Sequence, residues 1–285
     1  MATIIDGRAL SNKIRQNIKS TIEEKLLLHG KPAPKLAVIL VGDDPASKIY
    51  VSGKIKACGE CGIVSESVIL DATVSQKQLN DTIIRLNSDP SVNGILLQLP
   101  LPSHLDSNVA LNLISAEKDV DGLTNVNLGK LISGDLSVIK SCTPSGVVEM
   151  LKEYNISIEG KRVAIINRSI LVGKPLFHML TSLNGTVTVC HSKTTDVKTI
   201  TRECDIVVTA VGKKNFITAD MIKPGATVID VGIVRDEVTK KVCGDVDFEN
   251  VSKVAGFISP VPGGCGPMTI TMLLKNTLDT TLRQI

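Results

Sequence analysis

Gly160-Lys161-Arg162-Val163-Ala164-Ile165-Ile166-Asn167-Arg168-Ser169-Ile170-Leu171-Val172-Gly173-Lys174-Pro175 reads as a strand, a tight polar turn and the start of a helix. Its apolar run, Val163–Ile166, is bounded by Lys161-Arg162 and Asn167-Arg168. A turn of this kind brings backbone N–H groups and a helix N-terminus up to a pyrophosphate. The dinucleotide fingerprint has three glycines; here only Gly173 is clear, and Asn167 holds the first position. Asn tolerates the left-handed backbone better than most residues, so the turn is expected to survive. Taken alone, the motif fits an ordinary βα turn as well as a cofactor site. Further on, where an NAD site expects a carboxylate for the ribose, stands Cys190-His191-Ser192-Lys193-Thr194. A hydroxyl and an ammonium suit a 2′-phosphate instead, and Arg168 supplies a second cation, which favours NADP over NAD. His191 reads either as a catalytic base or as a satisfied polar residue at a strand end.

The same alternation extends outward. Lys35–Val41 predicts a strand that ends at Gly42-Asp43-Asp44-Pro45, and a helix follows from Ala46 to about Cys61, closed by Gly62. Val64–Leu70 predicts a strand, Ser75–Leu86 a helix capped by Ser75 or Thr73, Asn93–Leu99 a strand and Asp106–Ile114 a helix. Asp119–Leu136, rich in Gly, Asn and Asp, reads as a junction. Beyond it come a helix at Ser145–Tyr154, a helix at Val172–Leu183, and strands at Thr186–Cys190, Ile206–Ala210 and Thr227–Val231. Pro267 is placed at the first position of a last helix ending near Leu282. The pattern predicts two α/β domains built on parallel sheets. Residues 1–120 form the first and 121–267 a Rossmann-like dinucleotide-binding domain, and the last helix, within 268–285, could pack on either.

Composition narrows the partners. The 285 residues are 43% hydrophobic and 21% charged, with a net charge of +3, which is ordinary for a globular chain. Aromatics are 2% and Trp is absent, so base-stacking platforms are not expected. Lys and Arg are scattered, with no stripe to follow a nucleic acid backbone. Met1–Gly7 shows no signal-peptide core, and no apolar run reaches the roughly 18–20 residues of a membrane span. Seven Cys at irregular spacing suggest reduced thiols in the cytoplasm.

Several residues in the first half carry chemistry. Tyr50 and Lys54 lie four apart and share a helix face. A lysine on a partly buried face loses its proton more readily, because desolvation disfavours the cation; a solvated lysine face is the alternative. In Gly94-Ile95-Leu96-Leu97-Gln98-Leu99-Pro100-Leu101-Pro102, Gln98 interrupts a buried strand and needs partners, either structural or a lysine amine. Lys118-Asp119-Val120-Asp121-Gly122-Leu123 puts two carboxylates in one turn. One of them suits an aminopyrimidine-like ring, or both cap the turn. No metal ligand set is visible near them. Ser259–Thr269 is the densest Pro/Gly stretch and lets the backbone approach a ligand closely. Cys58-Gly59-Glu60-Cys61 is a CxxC at a helix end rather than at its start, without the second pair that zinc needs.

Taken in order, Tyr50…Lys54, Gly94–Pro102, Lys118–Leu123, Cys142-Thr143-Pro144, Arg168–Pro175, Ile229–Ile233 and Pro260–Thr269 resemble the bifunctional methylenetetrahydrofolate dehydrogenase/methenyltetrahydrofolate cyclohydrolase family across nearly the whole chain. The resemblance implies an active-site cleft between the two domains, residues 268–285 packing back on the first of them, tetrahydrofolate derivatives as substrates, NADP as cofactor and a homodimer. It implies Lys54 as the key catalytic lysine, tuned by Gln98. It implies Tyr50 against the folate, Asp121 anchoring the pterin, and Pro262, Gly263 and Gly264 lining the folate site. Asn167, Arg168, Ser169, Ser192 and Ile233 would contact NADP, with Gly173 completing the turn. The family usually has Gly where Asn167 stands, and a small aliphatic residue where Cys265 stands. An enzyme of the family with one of the two activities weakened is the alternative reading.

Overall fold

The computed structural model describes residues 1–135, 137–236 and 240–284. Leu136, the last residue of the predicted junction, and Ile285 lie outside them. The strands are β1 (Thr3–Ile4), β2 (Lys35–Val41), β3 (Val64–Leu70), β4 (Gly94–Leu97), β5 (Arg162–Ile166), β6 (Thr186–Cys190), β7 (Ile206–Thr209), β8 (Thr227–Asp230), β9 (Val234–Arg235), β10 (Val242–Cys243) and β11 (Phe257–Ile258). The helices are α1 (Gly7–Lys25), α2 (Pro45–Cys61), α3 (Gln76–Ser88), α4 (Ser107–Leu113), α5 (Asn125–Ile132), α6 (Cys142–Glu153), α7 (Gly173–Thr181), α8 (Val197–Arg202), α9 (Phe248–Val251) and α10 (Cys265–Gln284).

The chain folds as two compact α/β units. One comprises Lys13–Cys142 and the chain from Ile270 on; the other comprises Met1–Asn12 and Thr143–Thr269. The predicted boundary lies at 120/121, whereas the units part at 142/143. A physical reason is visible at Gly122 (φ 66°), where an added Cβ would lie 2.5 Å from the Lys140 carbonyl carbon. That close approach ties the segment after residue 121 to the unit before it. The first twelve residues join the other unit because β1 pairs in parallel with β11, Ile4 opposite Ile258.

In the first unit, β2 is the middle strand of a three-stranded parallel sheet ordered β3-β2-β4. It is buried along nearly its whole length, as a parallel strand covered on both faces must be. Ala37, Ile39 and Val41 pack with Ile95, Leu97, Leu79 and Ile83 in one apolar core. In the second unit, six parallel strands run in the order β1-β11-β8-β7-β5-β6. The chain steps from β5 outward to β6 and then returns to the other side of β5 to lay down β7. The switch point therefore falls between β5 and β7, where open α/β sheets bind ligands beyond the strand C-termini.

Local chemistry explains the element ends. Asp44 caps α2 by accepting from the Ser47 N–H at 2.7 Å, and Gly62 closes the helix at φ 78°. Ser75, not Thr73, caps α3, in a reciprocal capping box with Gln78. Two predicted helix starts shift. α6 begins at Cys142 rather than Ser145, with Pro144 inside its first turn, where its missing N–H costs nothing. Likewise α10 begins at Cys265, so Pro267 is its third residue rather than its first. The predicted junction contains α5, whose cap is Thr124.

Candidate active site

In the first unit, α2 presents Tyr50 and Lys54 on one face. Tyr50 is 45% exposed, and Lys54 is partly buried. Lys54 Nζ donates to Gln98 Oε1 at 3.0 Å. Gln98 follows β4 directly, and its Nε2 donates to the Leu99 carbonyl at 2.6 Å, which fixes which end of the amide faces the lysine. The polar interruption in the buried run is thus satisfied by a lysine amine and a main-chain carbonyl.

The two carboxylates of the 118–123 turn divide their tasks. Asp119 is 2% exposed and is consumed by the turn. It accepts from the N–H groups of Gly122 (2.9 Å), Leu123 (3.3 Å) and Thr124 (2.9 Å), and from Asn127 Nδ2 (2.9 Å). Asp121 is free of that duty. Burial pushes its carboxyl above the usual range, with the Lys54 charge beside it acting in the opposite direction and the Cys142 thiol hydrogen-bonding to it. Cys142 is itself held as a neutral thiol, raised well above its ordinary range by burial and by the Asp121 charge. In the sequence Cys142 stands out only as part of a motif; its place against Asp121 is a contact between residues distant in the chain. Lys118 is structural, since its Nζ donates to the carbonyls of Leu86, Asn87 and Asp89 at the end of α3. Cys58 and Cys61 are both buried, and burial raises the Cys58 thiol to about 12, which opposes thiolate chemistry.

In the second unit, Asn167 follows β5 and Gly173 opens α7. Asn167 is not among the residues with positive φ, so the turn does not survive by a left-handed asparagine. It survives through the side chain. Asn167 Oδ1 accepts from the Ser169 N–H (2.8 Å), the Ser169 hydroxyl (2.8 Å) and the Gly173 N–H (3.0 Å). An added Cβ on Gly173 would lie 2.0 Å from the Asn167 carbonyl oxygen, so the helix meets the strand at a distance only glycine permits. Arg168 is exposed beside the turn, and Ser192 and Lys193 are exposed past the end of β6, the strand next to β5. His191 serves its own turn, its Nδ1 accepting from the Lys193 N–H at 3.2 Å.

Ile233, 51% exposed, shares a small cavity of about 120 Å³ with Pro262, Gly263, Gly264, Arg8 and Asp230. Gly263 has φ 113°, and its carbonyl accepts from the Arg8 N–H at 2.9 Å. An added Cβ on Gly264 would fall 2.6 Å from the Pro260 carbonyl oxygen, so the Pro/Gly stretch is folded tightly on itself. Asp230 (3% exposed) and Asp245 (0% exposed) form a carboxylate pair that sequence reasoning missed. No spacing signal links them; the Asp245 N–H, which donates to Asp230 Oδ1 at 3.1 Å, joins them. Asp230 accepts from the N–H groups of Gly232, Asp245 and Val246; Asp245 accepts from Thr209 Oγ1 and from the N–H groups of Val211 and Lys213.

A lysine–amide–carboxylate cluster in one unit and a dinucleotide-type βα turn in the other define a two-unit α/β enzyme with a nucleotide-binding domain. Residues 5–121 match the family description "Tetrahydrofolate dehydrogenase/cyclohydrolase, catalytic domain", and residues 141–285 match its NAD(P)-binding domain. The chain belongs to the tetrahydrofolate dehydrogenase/cyclohydrolase family. It is 53% identical over 277 residues to the bifunctional protein FolD of Caldicellulosiruptor saccharolyticus, covering 96% of this chain and 99% of that one. Among solved structures it is similar to the bifunctional FolD methylenetetrahydrofolate dehydrogenase/cyclohydrolase of Campylobacter jejuni. That match has a TM-score of 0.98 and 47% identity over 100% of both chains. It is also similar to the Trypanosoma brucei methylenetetrahydrofolate dehydrogenase-cyclohydrolase complexed with NADP cofactor and inhibitor. There the TM-score is 0.94 at 40% identity, over 99% of this chain and 98% of that one.

Proposed function

We propose that this protein oxidises 5,10-methylenetetrahydrofolate to the methenyl form with NADP and hydrolyses that product to 10-formyltetrahydrofolate. The observation that carries the reading is the 3.0 Å hydrogen bond from Lys54 Nζ to Gln98 Oε1, with the Asp121 carboxyl beside the same ammonium. It supports Lys54 as the proton-moving group, Gln98 as the group that aims it and Asp121 as the substrate anchor.

Tyr50 lies against the folate, and Asp121 takes the donors of its aminopyrimidine ring. Pro262, Gly263 and Gly264 of the Pro/Gly stretch are the further folate-lining residues. The oxidation removes a hydride from the methylene carbon and leaves a cation delocalised over that carbon and its two nitrogens. It needs positioning more than acid–base help. Bound NADP supplies the hydride acceptor. In the hydrolysis, water adds to the methenyl carbon and loses one proton to leave a hydroxyl; the bond from that carbon to N5 then breaks as N5 gains a proton and the hydroxyl loses its own to become the formyl C=O, one proton being released overall. Lys54 carries the proton, aimed by Gln98.

The residues at the cofactor end suit NADP. Arg168, Ser192 and Lys193 are exposed there, and Cys190–Thr194 contains no carboxylate to repel a 2′-phosphate. Asn167, Ser169, Gly173 and Ile233 complete the set. All seven cysteines are free, in keeping with a cytoplasmic protein, and the family resemblance supports a homodimer, which analytical ultracentrifugation would test.

Replacing Lys54 with Met should abolish methenyl hydrolysis, read by the loss of methenyl absorbance. Hydrolysis at the normal rate by that variant would rule out the role. Assaying methenyl formation with NADP and with NAD in parallel tests the oxidation. No turnover with either would leave a monofunctional hydrolase as the reading.

A further inference from the structure

The Asn167 carboxamide does more than fill the place of a missing glycine. Its Nδ2 donates to the Ala210 carbonyl at 2.6 Å, one residue past the end of β7. Its Oδ1 gathers the Ser169 N–H, the Ser169 hydroxyl and the Gly173 N–H. One planar group thus bridges the two turns on either side of the β5/β7 switch point, where open α/β sheets place nucleotides. The network continues on both sides. Ser169 Oγ accepts from the Val172 N–H at 3.1 Å, and the Ser169 carbonyl accepts from Lys174 N–H at 3.0 Å. Beyond Ala210, the Val211 N–H donates to the buried Asp245 carboxylate at 2.7 Å.

We infer that Asn167 is a positioning residue for the cofactor: its carboxamide locks the β5–α7 turn to the end of β7 before any ligand arrives. With the turn already hydrogen-bonded, NADP binds without first having to order it, and a preorganised site gives tighter binding. The same bonds occupy the N–H groups of Ser169 and Gly173. Phosphate recognition then rests on the exposed cations and hydroxyls around the turn, Arg168, Ser192 and Lys193, more than on the helix N-terminus. A carboxamide that merely blocked those two N–H groups would weaken cofactor binding, and glycine at 167 would strengthen it.

This inference rests on the proposal that the turn meets NADP. The test is titration of the full-length protein with NADPH, followed by nucleotide fluorescence, for wild type, Asn167→Gly and Asn167→Ala. Hydrogen exchange over residues 168–174 is measured on each protein without ligand, and circular dichroism confirms folding. The expected result is a dissociation constant at least tenfold higher for both variants, with faster exchange across the turn. Affinity unchanged or improved in a folded variant overturns the positioning role. If either variant fails to fold, the other decides; if both do, Asn167→Ser, which keeps a shorter acceptor, replaces them under the same criteria. Failure of wild type to bind NADPH at all is a different outcome, and it removes the functional proposal itself.

Discussion

Asp119 and Asp121 stand two residues apart and could hardly differ more. The first is surrounded by donors and the second by a lysine and a thiol. Hydrogen bonds to an ionised acceptor contribute about 1.5–3 kcal/mol each, and a buried donor left unpaired costs about 1–3 kcal/mol. Asp119→Asn turns an amide N–H₂ toward groups that are themselves donors. It should lower unfolding stability by about 2–3 kcal/mol, read from urea denaturation. Asp121→Asn should leave the urea midpoint nearly unchanged and raise KM for the folate on the order of tenfold or more, the loss expected for one charge-assisted contact. If the two effects were exchanged, the assignment of the anchor to Asp121 would fall. Sequence showed that one of these carboxylates could hold a ring and that both could cap a turn. It could not show which did which, because the decision lies in the Asn127 side chain and in the turn's own N–H groups.

At the scale of elements, β2, α2 and the need of Gln98 for a partner were legible because each has a local cause: an unbroken apolar run, an Asp-Pro cap with a closing glycine, and a polar residue stranded in a buried run; that the partner is Lys54 came only with the family resemblance. Other elements were harder to see. α1 carries Leu10, Ile14, Ile18 and Ile22 at four-residue spacing, a signal that was present and overlooked among many polar residues. β1 and β11 have two residues each, too few for any period, and exist only because the sheet supplies partners. α10 shows what such distant partnership does. Asn276 on this helix is 9% exposed, and its Nδ2 donates to the carbonyls of Val120 (2.8 Å) and Lys140 (3.0 Å). It therefore pins the residue before Asp121 from a position far along the chain. Asn276→Leu keeps the volume and removes the amide donor from both carbonyls, leaving that of Val120 only the Cys142 thiol. Stability should fall by about 2–4 kcal/mol, and folate KM should rise with it because the Asp121 turn loosens. A variant with wild-type urea midpoint and raised KM would show instead that the helix acts on the turn without stabilising the unit.

For the whole molecule, the buried carboxyl of Asp230 makes stability depend on pH in the opposite sense to the usual carboxylate. Burial raises the Asp230 carboxyl to about 6, against three backbone N–H bonds that favour its ionised form and with the Asp245 charge adding to the rise. In the unfolded chain it titrates near 3.8. Between those values the folded protein binds the proton and the unfolded chain does not. The contribution is therefore fully present below about pH 4 and is lost as pH rises through about 6. At roughly 1.4 kcal/mol per unit it amounts to at most ~3 kcal/mol. Asp220 moves the other way, lowered to about 2 by its hydrogen bonds from Lys198 and Thr218, and is already ionised before this window opens. Urea midpoints measured from pH 4 to pH 7 should fall across the window, and Asp230→Asn, which carries no proton to lose, should flatten the slope even though it starts from a lower midpoint. A slope preserved in that variant would assign the titration to another group, with the raised carboxyl of Asp121 the next to replace. The acidic margin matters for function because Asp230 also holds the Gly232 N–H at 2.9 Å, next to Ile233 in the cavity with Pro262 and Gly263. A change in its charge is thus felt where the proposed cofactor and folate segments share one wall.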